Sequence, residues 1–162
     1  MRLVAPKLFH RMCGLAAVAV LLDQVSKFLV FRVLMKDEAE IVVLPVFSLV
    51  TWHNTGISFS FLSTDHAGGP WIFALLAIII ALGLLIWLSQ TAERVPAVGL
   101  ALVIGGAIGN VIDRVREGAV MDFLLFHWKD LAWPAFNLAD TFITIGVALL
   151  IFDGVFGGRK RA

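Results

Sequence analysis

The stretch NLADTFITIGVALLIFDGVF, residues 137–156, is apolar over the length of a helix but begins with two polar side chains, Asn137 and Asp140. A helix needs about 20 residues to cross a hydrocarbon core of about 30 Å, so this stretch is long enough to span a membrane. An ionisable side chain inside such a span costs roughly 2.5–3.5 kcal/mol on insertion scales and usually serves a function. The stretch therefore predicts a membrane-spanning helix that carries a functional carboxylate near one end.

The composition extends this prediction to the whole chain. Of 162 residues, 60% are hydrophobic and 15% are charged, whereas soluble domains average about 45–50% and about 25%. The apolar residues form blocks of spanning length, which predicts one integral-membrane domain over residues 1–162, an all-α bundle without a separate soluble domain. The predicted transmembrane helices cover residues 12–31, 71–88, 95–112 and 138–156.

The distribution of lysine and arginine predicts the orientation of this bundle. Basic residues crowd both ends of the chain, in residues 2–11 and 159–161, whereas the loop of residues 34–70 is acidic. The positive-inside rule then places both termini in the cytoplasm and the first and third loops outside. The basic residues of the third loop disagree with an outer position for that loop. They are Arg114, Arg116 and Lys129. We base the predicted orientation on the basic residues at the two ends of the chain.

The first outer loop predicts a small β layer. Residues 41–52 are rich in β-branched and aromatic side chains, which favours strands, and Pro45 limits them to an edge strand or two short strands. We expect a small antiparallel layer over the outer membrane face. The third loop, residues 114–136, is expected to return the chain to the membrane, with Trp128 and Trp133 as interfacial anchors.

Three carboxylates can meet at the outer side of the bundle. Asp113 directly follows the third predicted span, Asp140 lies at the start of the fourth, and Asp122 lies in the loop between them. Two carboxylates brought together beside lipid cannot both ionise cheaply, so the pair tends to share a proton near neutral pH. One carboxylate can then activate water while the other donates a proton, as in an aspartic protease. Either Asp113 or Asp122 can be the partner of Asp140, and this physical argument leaves both open.

Two asparagines accompany these aspartates at helical spacing. Asn110 precedes Asp113 by three residues and Asn137 precedes Asp140 by three, so each pair shares a helix face. Uncharged amides of this kind are suited to orienting carboxylates. The competing interpretation is that the aspartates cap helices or pair with the arginines that follow the third span.

Other polar positions have structural as well as functional interpretations. Asp23 and Lys27 stand four residues apart, which predicts an ion pair on one helix face. Ser26 cannot form a peptidase dyad with Lys27, because adjacent residues of a helix do not face each other. Asn54-Thr55-Gly56 indicates a turn that could also hold an extended peptide or an oxyanion. The glycines of residues 105–109 favour close helix packing.

Several classes of site are disfavoured by the residue inventory. Cys13 is the only cysteine, which excludes an internal disulfide and a cysteine metal cluster. No basic stripe interleaved with aromatic residues indicates nucleic acid binding. The histidines lack the spacing of zinc ligands, so we expect no metal and no cofactor. They are His10, His53, His66 and His127.

Five motifs of the chain occur together, and in the same order, in one known family. They are DQVSK at residues 23–27, NTG at 54–56, GGAIGNVIDR at 105–114, VMDF at 120–123 and FNLAD at 136–140. The chain closely resembles the bacterial signal peptidase II family, the lipoprotein signal peptidases, over residues 23–140. Residues 57, 58 and 121 depart slightly from the commonest form of these motifs, and none of them is ionisable.

The resemblance implies an aspartyl endopeptidase of the bacterial inner membrane with its active site at the periplasmic face. It implies cleavage of diacylglyceryl-modified prolipoproteins just before the lipidated cysteine, contact with membrane lipids, and inhibition by the cyclic peptide globomycin. It also implies Asp122 and Asp140 as the catalytic pair. The residues that it implies in substrate binding, inhibitor binding or support are Asn54, Gly56, Asn110, Asp113, Arg114, Asn137, Asp23 and Lys27.

Two other functions fit some of the same residues. A proton-coupled transporter also places carboxylates inside a membrane, but it would line a path with them and often shows an inverted repeat. A non-enzymatic assembly factor would require the aspartates to be replaceable. The clustering of the carboxylates at one face favours the peptidase.

Overall fold

The computed structural model describes residues 3–56 and 69–156. Four helices in this part of the chain are long and apolar enough to cross a membrane, as predicted. Arg2, His66, residues 57 and 58, the remainder of the outer loop to residue 68, and the basic cluster of residues 159–161 lie outside the described residues. The helices are α1, Pro6–Phe28, with a π-helical extension Leu29–Leu34; α2, Gly69–Gln90; α3, Arg94–Glu117; and α4, Leu138–Phe156.

Three of these helices extend beyond the predicted spans: α2 by two residues at each end, and α1 and α3 further, for local reasons. α1 has Pro6 in its first turn, where the missing N–H of proline leaves no hydrogen bond unmade. α3 continues to Glu117 and ends at Gly118, whose φ of 71° is the left-handed conformation that glycine adopts freely. The prediction that Arg114 and Arg116 belong to the loop is therefore wrong: both lie in the last turn of α3.

Four antiparallel strands form one sheet in the order β1-β2-β3-β4. The strands are β1, Glu40–Leu44; β2, Phe47–Asn54; β3, Val120–Trp128; and β4, Leu131–Ala132. Pro45 lies in the turn between β1 and β2, which confirms two short strands in the first outer loop.

The third loop is more than a connection back to the membrane. Its first half is β3, which pairs with β2 and places Asp122 opposite Trp52. The sequence concealed this strand because its first four residues are all buried, and a strand covered on both faces shows no polar–apolar alternation. The sheet thereby brings residues of both outer loops together.

α3 is the central helix and packs against α1, α2 and α4. Its glycines allow close approach, as predicted. A Cβ built on Gly105 would lie 2.8 Å from the Ala16 carbonyl oxygen of α1, and one on Gly106 would overlap the Ala139 carbonyl oxygen of α4. Because backbones meet at these points, polar side chains one turn further along α3 contact both neighbouring helices.

Candidate active site

Asp122 and Asp140 line the same cavity, which has a volume of about 120 Å³. Asp122 comes from β3 and Asp140 from the first turn of α4. Asp113, the other candidate partner, does not line this cavity. The remaining polar lining side chains are Asn54, Asn110, Arg114 and Thr144, and the apolar ones include Val120, Phe136 and Ile143.

Asp140 is held by the start of its own helix. The Asp140 N–H donates to Asn137 Oδ1 at 2.9 Å, and the Asn137 N–H donates back to Asp140 Oδ2 at 3.3 Å. This reciprocal arrangement is a capping box, which satisfies two N–H groups that a helix leaves unpaired. The interpretation of Asp140 as a helix cap is thus correct. Its second oxygen, Oδ1, remains available for the site and accepts from Asn110 Nδ2 at 2.8 Å.

Asp122 is held by two side-chain amides. Asn137 Nδ2 donates to Asp122 Oδ1 at 2.7 Å, and Asn54 Nδ2 donates to Asp122 Oδ2 at 3.1 Å. The Asn54 amide is itself oriented by the turn after β2, since the Gly56 N–H donates to Asn54 Oδ1 at 3.0 Å. The predicted turn therefore exists, and it points an amide N–H at a buried carboxylate.

Asn110 and Asn137 connect the two carboxylates. Besides its bond to Asp122, Asn137 Nδ2 donates to Asn110 Oδ1 at 3.1 Å. Asn110 Nδ2 in turn donates to Asp140. Both asparagines are almost fully buried, so their amide groups have fixed partners. Every donor to the two carboxylates among the described residues is an N–H group of Asn54, Asn110 or Asn137. Both aspartates also line the cavity, where water or substrate can reach them.

The environment of Asp122 favours its protonated form. Burial first, and then the negative charge of Asp140, raise the pKa of the Asp122 carboxyl from 3.8 to about 7. The hydrogen bonds from Asn54 and Asn137 lower the pKa and only partly offset this rise. A carboxyl that titrates near neutral pH can donate and recover a proton within one reaction cycle.

Asp113 belongs to a second, buried cluster. It lies 2.6 Å from Lys27 Nζ through Oδ2, and it accepts from Gln24 Nε2 at 2.9 Å and from the Met121 N–H at 3.2 Å. Lys27 also makes the predicted ion pair with Asp23, at 2.8 Å. The competing interpretation expected the aspartates to pair with Arg114 or Arg116. Asp113 pairs with Lys27 instead, and Asp122 and Asp140 accept hydrogen bonds from asparagine amides.

Asp23 and Gln24 complete this second cluster. Asp23 Oδ1 accepts from the Ala139 N–H at 2.9 Å, so a side chain of α1 binds the first turn of α4. Gln24 bridges α1 and α3 by donating to Asp113 and to the Gly109 carbonyl oxygen. Gln24 was not predicted to take part in the site. Its position next to Asp23 in the DQVSK motif was the only signal in the sequence.

Arg114 supplies positive charge at the cavity. Its Nη2 donates to the Gly56 carbonyl oxygen at 3.0 Å, and its guanidinium lies 6.0 Å from the ring centre of Phe73. Its Nε is buried and has no hydrogen-bond partner within the described ranges. Gly56 therefore contributes through its backbone, which ties the Asn54 turn to α3.

The described residues contain no group of three or more histidine, cysteine or acidic side chains placed to hold a metal ion. Cys13 lies half-buried in α1 as a free thiol. Ser26 Oγ donates to the Asp23 carbonyl oxygen at 2.7 Å, and Lys27 Nζ points to carboxylates and Asn110. The geometry of Ser26 and Lys27 thus matches a structural role for both.

Comparisons with known proteins agree on one family. A family model described as signal peptidase (SPase) II matches residues 15–156. The lipoprotein signal peptidase of Aeromonas hydrophila is 44% identical over 154 residues, which are 93% of this chain and 92% of that protein. The lipoprotein signal peptidase of Symbiobacterium thermophilum is 46% identical over 149 residues, 90% of this chain and 95% of that protein.

Solved structures share the fold. A structure described as a bacterial membrane enzyme at 2.3 Å resolution superposes with a TM-score of 0.80 at 29% identity, covering 94% of this chain and 92% of that chain. A second, described in the same way at 1.9 Å, has a TM-score of 0.74 at 29% identity, with 91% and 94% covered. Both similarities extend over nearly the whole length of the chain.

Proposed function

The chain belongs to the signal peptidase II family of aspartic peptidases, and we propose that Asp122 and Asp140 are the catalytic pair with which it removes signal peptides from prolipoproteins. The single observation that carries this proposal is that the two carboxylates line one small cavity while Asp113 is bound to Lys27. The rival function, a proton-coupled transporter, has no support among the relatives, which are peptidases.

The two carboxylates take different roles in the proposed reaction. Asp140 lies in the first turn of α4, where the helix dipole favours a negative charge, so it acts as the base. It accepts a proton from a water molecule as the water oxygen attacks the scissile carbonyl carbon. Asp122, whose pKa is about 7, donates its proton to the carbonyl oxygen. When the tetrahedral intermediate collapses, the C–N bond breaks, Asp122 recovers its proton, and Asp140 transfers its proton to the leaving amine.

The polar side chains around the cavity hold the pair and the substrate. Asn110 and Asn137 fix the carboxylates through the bonds described above, and Asn54 does so from the sheet side. Arg114 lines the cavity and binds the Gly56 carbonyl oxygen, and we assign this arginine and the Gly56 turn to substrate binding. Asp23, Lys27 and Asp113 support the site from behind, since they do not line the cavity.

The proposed substrate is a prolipoprotein that already carries diacylglycerol on its cysteine, cut just before that cysteine. A lipid anchor would confine the scissile bond to the membrane surface and convert a three-dimensional search into a lateral one, which raises the effective concentration. The exposed apolar side chains of α2, including Trp71, Ile72 and Leu75, are those of a helix in contact with lipid. The cyclic peptide globomycin is the proposed inhibitor and would occupy the same cavity.

The proposed location is the bacterial inner membrane, with both termini in the cytoplasm and the cavity at the periplasmic face. This orientation can be tested in a Cys13→Ser background. A cysteine at Asp130, in the β3–β4 turn, should react with a membrane-impermeant maleimide added to intact spheroplasts, whereas one at Ala92, between α2 and α3, should react only after lysis. The reverse pattern would contradict the proposed orientation.

The activity itself is tested with purified protein in detergent and a diacylglyceryl-modified prolipoprotein. We expect a product that begins with the lipidated cysteine, measured by mass spectrometry, and no product with Asp140→Asn. Absence of cleavage by the folded wild-type protein would contradict the proposed function.

A further inference from the structure

Lys27 is a buried cation that does not itself line the cavity of Asp122 and Asp140. Its side chain is only 2% exposed. Its Nζ donates to Asp23 Oδ2 at 2.8 Å and to Asn110 Oδ1 at 3.1 Å, and it lies 2.6 Å from Asp113 Oδ2. An ammonium group has three N–H donors, so these three partners satisfy it completely.

Lys27 and Asn137 both donate to the Asn110 side-chain oxygen, at 3.1 Å each, and Lys27 is the charged one of the two donors that set which way this amide faces. An asparagine has an oxygen acceptor on one side and an NH₂ donor on the other. The NH₂ group cannot face the Lys27 ammonium, because neither group could accept a hydrogen bond. Asn110 therefore presents its oxygen to Lys27, and its Nδ2 points to the opposite side, where it donates to Asp140 Oδ1 at 2.8 Å.

We propose that Lys27 is a positioning residue for the hydrolysis: through Asn110 it holds the Asp140 carboxylate in the orientation that accepts a proton from water. The inference rests on the proposed function and deepens it. Lys27 acts through the Asn110 side chain and does not touch the substrate.

The surrounding packing serves the same arrangement. Gly109 leaves room for the Asp23 carboxylate, since a Cβ at this position would lie 2.5 Å from Asp23 Oδ2. Asp23 Oδ1 in turn binds the Ala139 N–H, next to Asp140 in α4. Within the second, buried cluster, Asp23 thus holds the backbone next to Asp140, and Lys27 holds the Asn110 amide that binds the Asp140 carboxylate.

The obvious variant, Lys27→Met, leaves Asp23 and Asp113 buried together without a cation and can fail to fold. The double variant Lys27→Met/Asp113→Asn avoids this problem. The wild-type cluster holds two carboxylates and one ammonium, a net charge of −1, and the double variant holds one carboxylate, also −1. The single variant Asp113→Asn is the reference, because it keeps the bond from Lys27 to Asn110.

Relative to Asp113→Asn, the double variant should lose about 10–100-fold in kcat with little change in KM, as expected when a hydrogen bond that orients a charged group is removed. The alkaline limb of its pH profile, where Asp122 loses its proton, should move to higher pH, because the positive charge of Lys27 that lowers the pKa of Asp122 is gone. Arg32→Gln is the matched control. Arg32 follows α1 and its guanidinium lies 3.1 Å from the Glu117 carboxylate of α3, but its side chain is 60% exposed. The loss of this exposed ion pair should change kcat by less than about twofold. Equal kcat in the double variant and its reference would overturn the proposal.

A mutant cycle with Asn110→Ala tests the route of the effect. If Lys27 acts through Asn110, replacing Lys27 by Met in the Asp113→Asn/Asn110→Ala background should change kcat by less than about twofold, since interacting residues are not additive. If Lys27→Met lowers kcat as much in this background as it does in the Asp113→Asn protein that retains Asn110, the proposed route is overturned. Cleavage by the wild type and its absence in Asp140→Asn test the proposed function separately, so either result of the cycle concerns Lys27 alone.

Discussion

Asn137 and Asp140 cap each other at the start of α4: each accepts a hydrogen bond from the backbone N–H of the other, at 2.9 and 3.3 Å. The same Asn137 side chain donates to Asp122 at 2.7 Å. Asn137 thus caps the first turn of α4 and binds both carboxylates. The capping box holds the Asp140 side chain in one place relative to the backbone of α4.

Asp122→Asn and Asp140→Asn should each abolish cleavage while the protein remains folded. An amide of the same shape can neither accept a proton from water nor return one, and loss of an acid or base typically costs about 10²–10⁴-fold. Cleavage rates and thermal melts should be measured together. Asp130→Asn, an exposed aspartate in the β3–β4 turn, is the matched control and should retain its rate. Normal turnover by either dyad variant would refute the assignment.

The pH profile of kcat/KM should show an alkaline limb near pH 7, where Asp122 loses its proton. The pKa of this carboxyl is raised from 3.8 to about 7, so the folded protein binds a proton that the unfolded chain releases. The contribution of Asp122 to stability therefore falls as pH rises between these values and is constant above them. Asn54→Leu removes a hydrogen bond that lowers the pKa, so its alkaline limb should lie at higher pH. A limb that moves to lower pH would contradict this account.

Asp113→Asn should lower thermal stability more than activity. Asp113 binds Lys27 and the Met121 N–H and lies outside the cavity, so its charge supports the packing of α1, α3 and β3. Rates normalised to the folded fraction should remain well above those of Asp140→Asn. A folded Asp113→Asn protein without activity, beside an active Asp122→Asn protein, would mean that Asp113 is the partner of Asp140.

Gly109→Ala should destabilise the protein and reduce its activity. The added Cβ would lie 2.5 Å from Asp23 Oδ2 and 3.4 Å from the Ala139 Cβ, and forcing an extra methyl into such packing typically costs about 1–3 kcal/mol. Gly83→Ala in α2 is the matched control, because nothing lies within 4 Å of its Cβ position. Equal melting temperatures for the two variants would show that α1 and α3 can separate without loss.

Cleavage should depend on lipid attached to the substrate cysteine and should be indifferent to EDTA and to thiol and serine reagents. The carboxylates of the proposed pair accept from amide N–H groups, an arrangement suited to acid–base chemistry with water. The assay compares lipidated and unlipidated precursors with purified protein. Inhibition by EDTA, or equal turnover of the unlipidated precursor, would contradict this mechanism.

The local interactions were predictable from the sequence. Apolar runs of spanning length identified the four helices, because hydropathy depends on composition and not on the partner. The ion pair of Asp23 with Lys27 follows from a spacing of four residues on a helix. The competing interpretation of Asp140 as a helix cap was also correct, since Asn137 and Asp140 form a capping box. Strands β1 and β2 were visible because β-branched residues flank Pro45.

Residue spacing left both Asp113 and Asp122 open as the partner of Asp140, and only the family resemblance favoured Asp122. The tertiary structure provides the physical reason, because Asp122 and Asp140 line one cavity and Asp113 does not. Asp122 reaches the cavity because β3 pairs with β2, a contact between two loops that no local pattern records. Asp113 is directed away from Asp140 because Lys27, on another helix, holds it at 2.6 Å. The second contact depends on how closely the glycine face of α3 approaches α1. Sequence spacing determines which side chains share a face, whereas backbone packing between distant segments determines what each face meets.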